Sequence, residues 1–226
     1  MNIVGYLLAK KGQNTSFKDI PSYLIGKNNG GLPSEYQEVE YIENSGTQYI
    51  NTGITPGKDY KFAIKFMDTT AENSFYVTGA RASSSGTIYY GMSGSSVTLN
   101  ILVSSTTINT GAYRMKNYVY ECSASFNEDK TGTAYLKCLT TGDVFTGTQN
   151  AVTPNNYTYK VMLFGVRSGH IVNSMRLYYF KQWKSGKLMR DFVPCYRKAD
   201  NVAGLYDKVT KTFYTNAGTG DFILPS

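Results

Sequence analysis

From Leu32 onward the chain alternates apolar and polar positions in short runs, and turn-forming clusters cut the runs every eight to fifteen residues. A period of two is that of a strand with one face buried and one wet. It predicts strands at 38–42, 48–52, 60–67, 74–78, 87–91, 97–103, 117–126, 133–139, 159–166, 174–183, 188–193 and 213–214. Ser45-Gly46, Thr55-Pro56-Gly57, Thr131-Gly132, Thr141-Gly142 and Ser185-Gly186 supply turns between them. No stretch predicts a helix. Many short strands with regular punctuation imply an all-β domain of two stacked antiparallel sheets.

Residues 1–31 read differently. Met1 to Ala9 is mildly apolar and is followed by Lys10-Lys11, the reverse of a secretory signal, in which charge precedes the apolar core. Phe17, Ile20, Tyr23, Leu24 and Ile25 follow, and Lys27-Asn28-Asn29-Gly30-Gly31 reads as a linker. So short an apolar segment cannot bury its own side chains. The expected organisation is an anchoring arm at 1–31, docked on another chain, and one domain at 32–226.

Composition narrows the reading. Only 17% of the 226 residues are charged, while Tyr contributes 20 and Gly 22, a mix suited to strands and turns. No apolar run approaches the ~18 residues of a bilayer span, so no membrane association is expected. Three cysteines make no closed disulfide framework and point to folding in a reducing compartment. A turn near Asp129-Lys130 sets Cys122 and Cys138 nearly opposite each other, and two free thiols are the expected state. The formal charge of +7 is concentrated toward the C-terminus, where Arg176, Lys181, Lys184, Lys187, Arg190, Arg197 and Lys198 face Asp191 alone between residues 176 and 198. These charges alternate with Leu177, Tyr179, Leu188 and Val193, as on the wet side of half-buried strands. No nucleic-acid-binding signature accompanies them, and no nucleic acid partner is expected.

Two segments carry a family resemblance. The first is Leu32-Pro33-Ser34-Glu35-Tyr36-Gln37-Glu38-Val39-Glu40-Tyr41-Ile42-Glu43 with Ser45-Gly46-Thr47-Gln48-Tyr49-Ile50-Asn51-Thr52-Gly53. The second runs from Arg176-Leu177-Tyr178-Tyr179-Phe180-Lys181 through Trp183, Arg190-Asp191-Phe192-Val193-Pro194-Cys195-Tyr196-Arg197 and Gly204-Leu205-Tyr206-Asp207 to Phe213-Tyr214-Thr215-Asn216 and Phe222. Together they resemble the opening and closing strands of concanavalin A-like (laminin-G-like) jelly-roll domains in phage tail and head appendage proteins. The stretch between about Ala71 and Pro154 is generic β sequence. The resemblance implies a two-sheet antiparallel jelly-roll sandwich with a short N-terminal arm, and a habit of binding carbohydrate or protein. Fold alone gives no reaction.

The residues that could carry chemistry are few. Glu38, Glu40 and Glu43 have the E-x-D-x-x-E spacing of jelly-roll glycoside hydrolases with Glu in the middle place. They open the domain rather than occupying a central strand, and are read as an edge whose like charges discourage pairing. His170 is the single histidine and sits in a loop, with no second metal ligand or triad partner near it. Calcium occurs in laminin-G-like domains, but no dense Asp or Asn loop marks a site, and no cofactor is expected. The aromatic supply remains, including Tyr76, Tyr89, Tyr90, Tyr113, Tyr178, Tyr179 and Trp183. Sugars stack on exposed rings and take hydrogen bonds from Arg, Asn and Tyr. Adjacent tyrosines, such as Tyr178-Tyr179, are expected to point to opposite faces. A glycan site is placed near Arg81, Tyr89, Tyr90 and Arg167 in hairpin loops. The expectation is a non-enzymatic phage virion-surface protein, a fibre, appendage or decoration, made in the bacterial host cytoplasm. It would hold other virion proteins through residues 1–31, bind host or mucosal polysaccharide, and form a homo-oligomer, a trimer in the manner of such assemblies. A capsid decoration or head-fibre protein without glycan binding is the alternative.

Overall fold

The computed structural model describes residues 31–70, 75–81, 89–94, 98–103, 106–150, 158–167, 170–171 and 174–226; at 75, 89–94, 98, 102–103, 167 and 170–171 it describes the backbone alone. The expected arm, but for Gly31, lies outside the described residues, and the compact unit treated below is Leu32–Ser226. Its strands are β1 (Tyr36–Glu38), β2 (Ile42–Asn44), β3 (Ile50–Asn51), β4 (Tyr60–Asp68), β5 (Phe75–Arg81), β6 (Tyr89–Gly94), β7 (Thr98–Val103), β8 (Thr106–Tyr113) and β9 (Val119–Phe126). There follow β10 (Gly132–Cys138), β11 (Val144–Gln149), β12 (Met162–Leu163), β13 (Gly165–Arg167), β14 (His170–Ile171), β15 (Met175–Lys184), β16 (Lys187–Arg197), β17 (Val202–Asp207) and β18 (Thr212–Tyr214). Among the described residues there is no helix, and so none long and apolar enough to cross a membrane.

The domain is an all-β, jelly-roll-like sandwich. One sheet has ten strands, in the order β11-β10-β9-β4-β15-β16-β17-β18 with β2 beside β15 and β1 beside β16; the other has six, β3-β12-β5-β6-β7-β8. A separate pair, β13-β14, completes the set. Alternation on β4 decides the layering. Tyr60, Phe62, Ile64 and Phe66 point inward and are buried, while Lys61, Lys65 and Met67 point outward and stay half-buried. Against the inward row lie Tyr120, Phe126, Phe180 and Phe192 from the same sheet, and Val77, Leu99, Ile101, Ile108 and Leu163 from the facing one. Burial of this one cluster of aromatic and branched side chains is the main stabilising contribution.

β15 and β16 pair only between Phe180–Lys184 and Lys187–Phe192, then diverge. β2 fills the wedge against Met175–Leu177, and β1 fills it against Cys195–Arg197. The strand predicted at 38–42 is therefore two short strands, because the chain crosses from β16 to β15 at Val39–Tyr41; the Val39 N–H still bonds the Pro194 carbonyl at 3.0 Å. The opening and closing segments of the domain are thus neighbours in one sheet. The strand predicted at 159–166 is also divided, by Phe164 at φ 68°, which turns the chain from β12 into β13. Four strands had no counterpart in the pattern: β8, β11, β14 and β17; β14 holds His170, which was expected in a loop. β11 is half-buried at best and β8 buries Ile108, Thr110 and Ala112, so neither contrasts strongly enough in polarity to announce itself. β8 and β11 are the edges at which the two sheets meet. There Gly147 is required, since a Cβ would lie 2.7 Å from the Asn109 carbonyl oxygen.

All three cysteines are free and buried. Cys122 stands opposite Leu136 and Cys138 opposite Tyr120, so the two are diagonal rather than opposed as expected. The turn closing this hairpin is Asn127–Thr131, centred about one position earlier than the pairing of the cysteines needs. Burial pushes the Cys122 thiol far up, and raises that of Cys195 to about 12.

Candidate functional site

The outer face of the ten-stranded sheet brings together Tyr135, Tyr178, Tyr179 and Trp183 with Lys61, Lys65, Lys137 and Lys181. In register, Tyr135 on β10 stands beside Ser123 on β9, Ala63 on β4, Lys181 on β15 and Asp191 on β16. One row away run Thr133, Ser125, Lys61, Trp183 and Leu188; on the other side run Lys137, Glu121, Lys65 and Tyr179. The middle row has small residues at its centre, Ser123 and Ala63, and taller neighbours close over them, leaving them 3% and 0% exposed. At about 4.8 Å per strand, Tyr135 and Lys181 stand roughly 14 Å apart across this floor.

A β-bulge adds a ring to the face. Leu177 pairs with Phe66 and Tyr179 with Lys65, so Tyr178 is an extra residue. Leu177 and Phe180 both point into the core, and the two residues between them are both half-exposed. The expectation that Tyr178 and Tyr179 take opposite faces is corrected on this point: the bulge turns both outward. Tyr178 meets Tyr41 edge-on with centroids 5.7 Å apart.

Each of three outer rings carries a cation. Lys61 Nζ lies 5.7 Å from the centre of the Trp183 ring, Lys65 Nζ 4.8 Å from Tyr178, and the Arg176 guanidinium 4.4 Å from Tyr41. These contacts differ in tether. Arg176 donates from Nε to Glu43 at 2.8 Å, and the other Glu43 carboxylate oxygen accepts from Ser174 at 2.9 Å and Thr69 at 3.2 Å. That hydrogen bond raises the Arg176 pKa. The two lysines swing on four-carbon stems. Burial lowers the Lys61 pKa against the partial pull of Asp59, and raises those of Tyr135 and Tyr178, each helped by a nearby carboxylate, Glu121 and Glu40 respectively. The face therefore offers flat apolar rings, mobile ammonium groups and hydroxyls, the groups that grip a sugar ring and its substituents.

The residues singled out in the sequence fall as follows. Arg81 pairs with Tyr89, and Ala80 with Tyr90, at one end of the β5-β6 hairpin. Arg81 reaches back along its strand, donating to the Tyr76 hydroxyl at 3.3 Å and lying 5.9 Å from that ring. Leu163 stands opposite Thr78 and Met162 opposite Gly79, so the chain runs on toward the Phe75 end of β5 and places the Arg167 backbone away from that of Arg81. The side chains of Tyr89, Tyr90, Arg167 and His170 lie outside the described residues. Glu38 is on β1 and Glu43 on β2, so the acidic triplet does not share one strand face, and Glu43 is committed to Arg176. Of the basic run, Arg176, Lys181, Arg190 and Arg197 pair with Glu43, Asp191, Asp207 and Asp200. Lys184 and Lys198 donate to the carbonyls of Thr55 and Ser34. The run is thus largely neutralised by its own fold. Among the described residues no three His, Cys, Asp or Glu side chains gather as a metal ion requires. Sequence reading found Tyr178, Tyr179 and Trp183 but not their company, since Lys61, Lys65, Ser123 and Tyr135 join them only through long-range pairing.

No family model matches the chain, and no curated protein sequence matches it. Solved structures with a related arrangement include the CBM40 domain of the Ruminococcus gnavus IT-sialidase bound to α2,3-sialyllactose, 14% identical over 64% of this chain and 89% of that one, with a TM-score of 0.42. Tailspike protein 2 of an Escherichia coli O157:H7 bacteriophage is 9% identical over 68% of this chain and 26% of its own length, with a TM-score of 0.43. Scytalido-glutamic peptidase with a transition-state analogue inhibitor is 11% identical over 66% and 84%, with a TM-score of 0.39. These are loose likenesses of strand arrangement. What those proteins bind or cleave stays with them.

Proposed function

We propose that this chain is a non-enzymatic carbohydrate-binding protein of the phage virion surface, and that the outer face of its ten-stranded sheet is the binding platform. The observation that carries the reading is the cluster of Trp183, Tyr178, Tyr179 and Tyr135 on one face with Lys61 and Lys65 among them. Flat rings supply stacking area at little conformational cost, and the surrounding ammonium and hydroxyl groups supply orientation. The phage assignment rests on the resemblance of the opening and closing segments to concanavalin A-like appendage domains. In its favour, those two segments hydrogen-bond each other in the fold, β1 on β16 and β2 on β15, so they stand or fall as one unit. A binding role without catalysis agrees with Glu43 being held by Arg176, Ser174 and Thr69. Residues 1–31 are assigned to anchorage on other virion proteins, the polysaccharide to the host or mucosal surface. Weak sites repeated on one particle would gain strength from avidity.

The test is binding of the full chain, alone and displayed multivalently, to a glycan array and to intact gut bacteria, beside a Trp183→Ala variant. Saturable binding that weakens at least tenfold in the variant, with its melting temperature kept, is expected. Absence of binding by the multivalent wild type overturns the reading and leaves the structural decoration or head-fibre role. Binding unchanged in the variant moves the platform elsewhere, with the Arg81, Tyr89 and Tyr90 hairpin and Arg167 next to be tested.

A further inference from the structure

We infer that the polysaccharide recognised by this face is anionic, carrying carboxylate, sulfate or phosphate groups, and that Lys61 and Lys65 select it by moving from the rings they cover onto those groups. The inference rests on the reading of this face as a carbohydrate platform. It begins with an obstacle, because two of the rings best placed for stacking are covered: Lys61 lies over Trp183 and Lys65 over Tyr178. A sugar that stacks on the ring face a lysine occupies must displace its ammonium group. An exposed cation–π contact contributes only about 0.5–1 kcal/mol, so displacement is cheap if the ammonium finds a new partner. A neutral sugar offers hydroxyls in place of the ring. An anionic one offers a charge-assisted hydrogen bond, roughly twice as strong. The cover over each ring thus acts as a filter for charge.

The neighbours of these lysines sharpen the case. Lys181 and Arg176 are on the same face, but each already has a carboxylate, Asp191 at 3.5 Å and Glu43 at 2.8 Å. Glu121 is flanked in register by Lys137 and Lys65, two cations to one anion. Lys61 pairs across the strands with Ser125 and Trp183, and the charge that acts on it is that of Asp59. Partial burial already lowers the Lys61 pKa, so a ligand anion would be favoured there beyond its value at a fully wetted site. Tyr41 is the internal contrast. Its cation, Arg176, is fixed to Glu43, so that ring stays covered and selects nothing. Lys61 and Lys65 lie four residues apart on β4, on the order of 13 Å, so two anionic groups on one chain of sugars can be met at once.

The experiment measures binding of the full chain, displayed multivalently, to polygalacturonate, dextran sulfate, a polyglycerol-phosphate polymer and unmodified dextran, each at 50 and 300 mM salt. Inorganic polyphosphate serves as a polyanion without sugar. Lys61→Gln/Lys65→Gln and Trp183→Ala variants are run beside the wild type, with melting temperatures to check folding. At least one acidic polysaccharide is expected to bind ten times or more tighter than dextran and than polyphosphate. The double lysine variant should remove most of that preference and weaken its salt dependence, and the three acidic polymers identify which anion is met. Equal or tighter binding of dextran overturns the inference while leaving the carbohydrate reading intact. So does acidic binding that the lysine variant does not change, or that polyphosphate matches without dependence on Trp183. Absence of binding to every polymer removes both readings together.

Discussion

The two faces of β15 differ in what holds them. Inward, Met175, Leu177, Phe180 and Gln182 are wholly buried, and the phenyl ring of Phe180 packs with those of Phe62 and Phe192 at centroid distances of 6.3 and 6.4 Å. Outward, Arg176, Tyr178, Tyr179, Lys181 and Trp183 are half-exposed; Arg176 and Lys181 form ion pairs with Glu43 on β2 and Asp191 on β16, and Trp183 and Tyr178 take cation–π contacts from Lys61 and Lys65 on β4. The inner contacts depend on close packing and tolerate little change of shape or parity. The outer contacts are individually weak and can be exchanged for a ligand without loss of the fold. One strand thus separates stability from recognition, and the bulge at Tyr178 is where the outer face gains a residue without disturbing the inner one.

The sharpest way to break this comparison is to disturb parity between the two irregularities of β15, at Leu177/Tyr179 against β4 and at Gln182/Trp183 against β16. Deleting Lys181 turns Gln182 outward and drives Trp183 toward the core across from β4. The expected loss is about 5 kcal/mol or more, seen as failure to fold or a collapse of the denaturant midpoint. Next in size is the buried pair at the far end of β4, where Arg114 Nε donates to Asp68 with the two side chains 1% and 0% exposed. Arg114→Met takes the charged donor from the buried Asp68 carboxylate, which also accepts from the Thr70 N–H and hydroxyl at 3.0 and 3.3 Å. A loss of about 3–5 kcal/mol is expected in chemical denaturation. Asp68→Leu combined with Arg114→Met should recover more than half of it, since the pair then leaves together. A loss below about 1 kcal/mol for the single variant would show that the inner layer tolerates an isolated charge.

Much of the sandwich was legible because its residue types contrast. In 60–67, and in 174–183 on either side of Tyr178-Tyr179, apolar positions alternate with polar or charged ones, and the structure has β4 and β15 there. β8 and β11 escaped because their inward positions are Thr, Ala and Gly as often as Ile or Phe. The split of 38–42 escaped for another reason: the wedge between β15 and β16 is a property of two distant strands. The bulge left a trace in the sequence, since the apolar positions shift from odd to even between Leu177 and Phe180. Strict alternation across Tyr178-Tyr179 hides that shift. The candidate face was visible as an inventory of rings and lysines, but its assembly depends on the β4-β9-β10 register, which no local pattern fixes.

A third measurement tests the outer side near the end of β16, where Cys195 packs with Val193 and Tyr206 under Leu32, Tyr36 and Phe213. Its thiol is raised to about 12 by burial, from an ordinary value of 9.0. A buried thiol stays protonated in the folded chain while the unfolded chain releases the proton. Its contribution is therefore whole below pH 9 and is lost as pH rises toward 12. Cys195→Ala should cost about 1 kcal/mol at pH 7, and its deficit against wild type should vanish or reverse by about pH 10.5. A deficit independent of pH would mean that the thiol is not sealed. Cys122 and Tyr120, also raised by burial, are common to both proteins and cancel in the difference.

The smallest expected effect on stability is the most telling about the face. Deleting Tyr178 removes the residue that the register with β4 already skips, so Leu177 stays opposite Phe66 and Tyr179 opposite Lys65. Both inward neighbours keep their places, and β2 and β16, which follow each other along the flank of β15 away from β4, keep their pairings. What is lost is one ring, its contact with Lys65 and its edge-on packing against Tyr41, about 1 kcal/mol in all. The melting temperature should therefore fall by only a few degrees, in contrast to deletion of Lys181 three residues on. Binding of acidic polysaccharide should weaken severalfold, because Lys65 loses the ring that positions it and the face loses a stacking surface. A large fall in stability would mean that the bulge holds the two layers together rather than serving recognition; unchanged binding with stability intact would confine recognition to Trp183 and its neighbours.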